Sequence, residues 1–214
     1  MGFFDRIGNR KYGKIGEDIA LFAFSRYNDE DIRRLLEYCQ FSAVETIRFK
    51  FDFFIVNLVV ATHAINVAVS YDKEKAEKII EPMYDQLDGY IEKLIPGSVR
   101  IGDFIVKDDE WQYLRKNHRV NNPDMKTTST GLLDHIHEYR KQCYFDAVFD
   151  GFGRYMSKEK PFMFLGPYSP LVRLFVQNFP SNEKNTNHLI VELCTILTLT
   201  DRVIMEHCEK SIRT

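Results

Sequence analysis

Three residues from two distant parts of the chain, His63, Asp201 and His207, carry most of its acid–base potential. Asp201 interrupts the seam Ile190, Cys194, Leu197, Ile204 and Cys208, whose heptad spacing marks the buried face of a helix. A carboxylate in an apolar seam must be neutral or paired, because burying an unpaired charge is costly. It therefore meets a partner such as His63 or an arginine, or it acts as a tuned acid or base. His63 sits in a run that is apolar on two faces, so it too needs a hydrogen-bonding partner from another helix. His207 follows Asp201 on the same predicted helix. These three are the candidate catalytic or ligand-binding set.

The stretch Asp134-His135-Ile136-His137-Glu138 suggests metal binding. On a helix, residues two apart point about 200° from each other, so His135 and His137 cannot hold one ion. His135 and Glu138, three apart, can. A carboxylate-bridged centre needs a second pair of this kind. No Glu-x-x-His occurs in the chain. His135 and Glu138 are the candidate metal ligands, and the expectation is that no cofactor is required.

Gly8-Asn9-Arg10-Lys11-Tyr12-Gly13-Lys14 matches the first part of a phosphate loop, but Ile15 follows where Ser or Thr should hold magnesium. Phe3, Phe4 and Ile7 lie beside Arg6, Arg10, Lys11 and Lys14, a composition suited to weak peripheral contact with an anionic membrane through residues 3–14. Trp111 to Arg119 mixes aromatic and basic residues, as single-strand binders do. Asp108, Asp109 and Glu110 precede it, so the charge order also suits a helix with an acidic first turn.

Bulk properties narrow the choices. The formal net charge is −2, which gives no overall attraction to nucleic acid or anionic lipid. Cys39, Cys143, Cys194 and Cys208 are scattered, with no C-x-x-C pair, as expected in a reducing compartment. No signal-peptide layout opens the chain, so the expected location is cytoplasmic. Residues 53–69 are apolar but contain Asn57, Thr62, His63 and Asn66, which favours burial in protein over a membrane span.

Helices must position these residues. Val44, Ile47, Phe51, Phe54, Leu58, Ala61, Ile65 and Ala68 form one helical stripe; Phe49, Phe53, Val56, Val60, His63 and Val67 form another. A helix apolar on two faces belongs at the centre of a fold. Ser42 and Glu45 supply a capping box at its start. Alternation across Ile47, Phe49, Phe51 and Phe53 gives a competing strand signal. Asp72 is placed to cap the next helix, which Pro82 should kink or restart. Asn117 to Gly131 is polar and turn-rich, and reads as a mobile loop. Ser169-Pro170 is a cap followed by a first-turn proline, opening a helix to Phe179. The last helix runs from Ser181 or Asn182 towards the C-terminus.

The expected fold is all-α: a bundle of seven or eight helices in one domain, 1–214, around a central buried helix over residues 44–70. Residues 1–14 are expected to be peripheral and 117–131 a mobile loop. Arg48-Phe49, Met83-Tyr84-Asp85-Gln86-Leu87-Asp88 and Val99-Arg100-Ile101-Gly102-Asp103 together resemble the helical ubiquinol–cytochrome c chaperone family. The resemblance covers a minor part of the chain and is mostly helix patterning. The functional expectation is a non-catalytic interaction or assembly protein that self-associates or binds another protein. The alternative is an enzyme or ligand-binding protein with a polar, metal-dependent or metal-free site among the helices. Seven aromatics from Tyr144 to Phe164, among them Phe149, Phe152 and Tyr155, favour a partner surface.

Overall fold

The computed structural model describes residues 3–25, 30–93, 99–101, 104–106, 144–160, 162–179 and 183–213. The 117–131 loop, Trp111 to Arg119, His135 and Glu138 lie outside them. The fold is all-α, with eight helices among the described residues. In chain order these are α1 (Phe3–Ser25), α2 (Glu30–Cys39), α3 (Ala43–Ala68), α4 (Lys73–Lys93), α5 (144–156), α6 (Phe162–Leu165), α7 (Ser169–Val176) and α8 (Glu183–Arg213). Between α4 and α5, strands β1 (Val99–Ile101) and β2 (Phe104–Val106) pair antiparallel.

The two stripes of α3 lead to two apolar clusters. Phe54, Leu58, Ala61 and Ile65 join Ile15, Ile19, Ile79 and Met83 from α1 and α4. Phe49, Phe53, Val56 and Val60 join residues of α2, α5, α7 and α8. The run from Ile47 to Phe53 is helical despite its strand-like alternation, and burial of Phe49 and Phe53 four residues apart in one cluster fits a helical face. A strand would offer only one apolar face there. Phe49 stacks on Phe53 and meets Phe175 edge-on at 4.9 Å, and Phe179 closes the group.

α1 lies along α4 and α3 along α8. Gly16 lets the first pair approach closely: a Cβ there would sit 2.3 Å from the Ile79 carbonyl oxygen. α4 runs through Pro82 without restarting. Burial of Ile79 and Met83 on either side of the proline supports the continuous helix. Asp72 caps α4, accepting from the Lys75 backbone N–H at 3.2 Å, and hydrogen bonds from Lys75 hold its carboxyl below the usual range. At α7 the expected cap is shifted by one residue. Tyr168 occupies the cap position without a side-chain cap bond, and Ser169 is already helical. The helix ends at Val176, and a tighter turn continues to Phe179, with the Phe179 N–H bonding the Val176 carbonyl.

The Gly8–Lys14 segment lies inside α1, so no loop is present to cradle a phosphate. Lys11 donates to the Ile212 carbonyl near the end of α8 at 2.7 Å, and Lys14 pairs with Asp18 at 3.0 Å. Among the described residues no helix is long and apolar enough to cross a membrane.

Candidate functional site

α3, α5, α8 and the turn before α7 bring four side chains together. His63 comes from α3, Phe152 from α5, Tyr168 from the turn and Asp201 from α8. The turn depends on Gly166, whose φ of +77° is left-handed and is readily adopted by glycine. α5 is seated against the same turn through Gly151, where a Cβ would meet the Pro167 carbonyl oxygen and Pro170. That close approach carries Phe152 over the imidazole of His63, with ring centroids 4.4 Å apart, and edge-on to Tyr168 at 5.4 Å.

The Nδ1 atom of His63 is the shared point. The Tyr168 hydroxyl lies 3.4 Å from it and the Asp201 Oδ1 atom 3.6 Å from it. His63 is only 4 % exposed, Tyr168 is fully enclosed and Asp201 reaches the edge of the cluster. Burial pushes the Tyr168 hydroxyl well above its ordinary range, and the negative charge of Asp201 adds to the effect. Tyr168 therefore keeps its proton and acts as a donor. A neutral imidazole protonated on Nε2 can accept that hydrogen bond; a protonated imidazole instead faces the Asp201 carboxylate as a cation. The Asp201 Oδ1 atom is buried with no hydrogen bond inside the usual distance. The set ties three parts of the fold together.

Of the three sequence candidates, His63 and Asp201 meet and His207 does not join them. Its Nε2 atom lies 3.6 Å from the Asp18 carboxylate of α1. The separation follows from α8: six residues beyond Asp201 is about 9 Å along the axis, with the side chain turned to another face. Among the described residues no cluster of three or more His, Cys, Asp or Glu could hold a metal ion. Asn57 is enclosed and donates to the Phe53 carbonyl at 2.8 Å. Thr62 is buried; it donates to the Leu58 carbonyl and lies 3.3 Å from the Tyr84 hydroxyl. Burial pushes Tyr84 up to about 12, an effect eased by the Thr62 hydrogen bond.

Sequence reasoning missed Tyr168 and Phe152 as members of this set. The available signal was glycine placement. Gly151 inside a helical pattern marks a close backbone approach, and Gly166-Pro167 marks the turn that receives it.

The opposite face of α8 is different in character. Val191, Leu199 and Val203 are 49 %, 54 % and 48 % exposed and lie on one stripe with Thr195. The Thr195 hydroxyl bonds the Val191 carbonyl at 3.0 Å, and the Thr198 hydroxyl bonds the Cys194 carbonyl at 2.7 Å. Both hydroxyls are turned onto the helix backbone, and the exposed charged residues Glu192, Arg202 and Glu206 lie among the apolar ones on the same side of the helix. α6 packs on α8 and presents Met163 and Phe164, the latter 82 % exposed.

Comparisons with protein-family models, curated proteins and solved structures find no match to this chain, so the likeness of its middle part to the chaperone family gains no support from them.

Proposed function

We propose that this chain is a non-catalytic helical assembly protein that self-associates through the outer face of α8 and the adjoining α6. The observation that carries this reading is the half-exposed stripe Val191, Leu199 and Val203, with its threonine hydroxyls already satisfied. Exposed aliphatic side chains gathered on one side of a long helix favour association. The strip from Val191 to Val203 is about 18 Å long and about 10 Å wide. That is less than the ~800 Å² per partner of a standard interface. α6 must therefore contribute, and the association should depend on concentration in the micromolar range. A cytoplasmic setting suits the free, buried cysteines among the described residues, Cys39, Cys194 and Cys208.

Light scattering coupled to size exclusion tests the proposal on the full chain. The expected result is a mass that rises from monomer to dimer over the micromolar range. Leu199→Glu should hold it at the monomer with an unchanged thermal transition. A native monomer at high micromolar concentration would overturn the proposal, as would a Leu199→Glu variant that still self-associates.

A further inference from the structure

We infer that the end of α5 and the turn that joins it to α6 form a contact site for an anionic lipid bilayer. The inference goes beyond the self-association reading and starts from a different surface, where α5 outruns its support. Val148 and Gly151 are buried, and Tyr155 follows them on the same side of the helix. Tyr155 is nevertheless exposed, as are Gly153, Arg154 and Met156. Four consecutive exposed residues make a full helical turn, so the end of α5 projects from the body of the fold. The turn beyond it is held by backbone bonds. The Lys158 N–H donates to the Tyr155 carbonyl at 3.0 Å, the Glu159 N–H to the Arg154 carbonyl at 3.1 Å and the Met163 N–H to the Glu159 carbonyl at 3.3 Å.

The projection carries the residue types that an anionic interface takes. Met156 is 76 % exposed at its end with Tyr155 beside it, and Met163 and Phe164 follow on α6. From Gly153 to Phe164 there are three cations and one anion, although the whole chain carries a net charge of −2. Arg154 is engaged by Asp150 at 2.9 Å and by Glu159 at 4.0 Å. Lys158 and Lys160 are exposed and form no ion pair among the described residues. A convex apolar tip needs a matching hollow to be buried by a protein, whereas a fluid bilayer closes around it. Lysines beside apolar side chains lay their stems along the acyl boundary while the ammonium groups reach lipid phosphates. Tyrosine suits the same depth, with an apolar ring and a wet hydroxyl. Binding at such a surface scales with inserted apolar area plus attraction to anionic lipid, and the tip offers both. α6 borders both this tip and the outer face of α8, so the decisive substitutions are those on α5 and the turn.

The test is sedimentation of the full chain with vesicles of phosphatidylcholine, with and without about one third phosphatidylserine. The expected result is binding to the anionic vesicles that weakens with salt, and little binding to phosphatidylcholine alone. Lys158→Gln and Lys160→Gln should each weaken it about fivefold, and Met156→Asp about tenfold or more. Lys158→Gly separates binding from folding. Lys158 has a φ of +56°, which glycine adopts freely, so this variant should melt at or above the native temperature while binding about fivefold more weakly. These variants should self-associate like the native chain, and Leu199→Glu should bind vesicles like it, so each reading can fail without the other. Absence of binding to the anionic vesicles overturns the inference and leaves the tip to a protein partner. Equal binding to both kinds of vesicle overturns it, as does native binding by Met156→Asp or Lys158→Gly. Loss of vesicle binding in Leu199→Glu overturns it as well, by placing the contact on α8.

Discussion

Two glycines of α5, two residues apart, give a sharp test of how the cluster around His63 is built. In a helix interior, replacing glycine by alanine stabilises by up to about 1 kcal/mol, through lower entropy in the unfolded chain. Gly153 is exposed, with no atom within 4 Å of the position a Cβ would take. Gly153→Ala should therefore raise stability by about 0.5–1 kcal/mol. Gly151 is enclosed, and its Cβ would stand 1.9 Å from the Pro167 carbonyl oxygen and 2.9 Å from the Pro170 Cδ atom. The first contact is with backbone, so α5 or the turn must move by more than about 1 Å to restore van der Waals distance. Forced movement of packed elements costs about 1–3 kcal/mol or more, and the propensity gain offsets only part of it. Gly151→Ala should lower stability by about 2 kcal/mol, so the two variants should differ by about 3 kcal/mol. For a chain of this size that corresponds to roughly 6–12 °C in Tm. Circular dichroism melts and urea titration of both variants beside the native chain make the comparison. If Gly151→Ala is as stable as the native protein, α5 does not press on the 166–170 turn, and the placement of Phe152 over His63 fails with it.

The polar triangle itself should behave as a coupled unit: His63→Leu and Tyr168→Phe should each cost about 1 kcal/mol, with a coupling of about 0.5–1.5 kcal/mol in a double-mutant cycle. Coupling below about 0.3 kcal/mol would separate the residues, and loss of self-association by His63→Leu at unchanged Tm would move His63 from a structural role into the binding function. Stability should also fall in alkali. Burial holds the Cys194 and Cys208 thiols at about 12 and the Tyr84 hydroxyl at about 12, whereas the unfolded chain releases these protons near 9 and 10. The folded state therefore binds more protons between those limits. The stabilisation is complete below about pH 9 and is lost as the pH climbs towards 12. Urea midpoints at pH 8 and pH 10.5 should show the drop, with a shallower slope in Tyr84→Phe; a flat profile would mean that these groups reach water.

What the sequence disclosed follows the range of the interactions that produce each feature. The two stripes of α3 were legible because helix periodicity is local, and Phe54, Leu58 and Ile65 part from Phe49, Phe53 and Val60 as the spacing requires. The oddity of Asp201 was legible for the same reason, since its heptad neighbours Leu197, Ile204 and Cys208 are buried. His63 was legible as one possible partner, but Tyr168 was not, because it reaches Asp201 only through packing of distant segments. The β1–β2 pair was missed although Val99-Arg100-Ile101 and Phe104-Ile105-Val106 flank Gly102-Asp103, a two-residue spacing typical of hairpins. Helical patterning on either side masked it.

The buried triangle and the exposed stripe are linked through the rotation of α8 about its own axis. Burial of Leu193, Leu197, Ile204 and Cys208 already favours one rotation of the helix. A shift of one residue, about 100°, would carry Asp201 away from His63 and turn Arg202 inward. Such a shift would leave a buried guanidinium and an unpaired imidazole, each with a substantial desolvation cost. The observed rotation buries Leu193, Leu197, Ile204 and Cys208, so the contact of Asp201 with His63 and Tyr168 and the apolar seam favour one angle together. That angle turns Val191, Leu199 and Val203 outward, with Glu192 and Arg202 among them. The acid–base residues thus reinforce the rotation at which α8 presents its outer face.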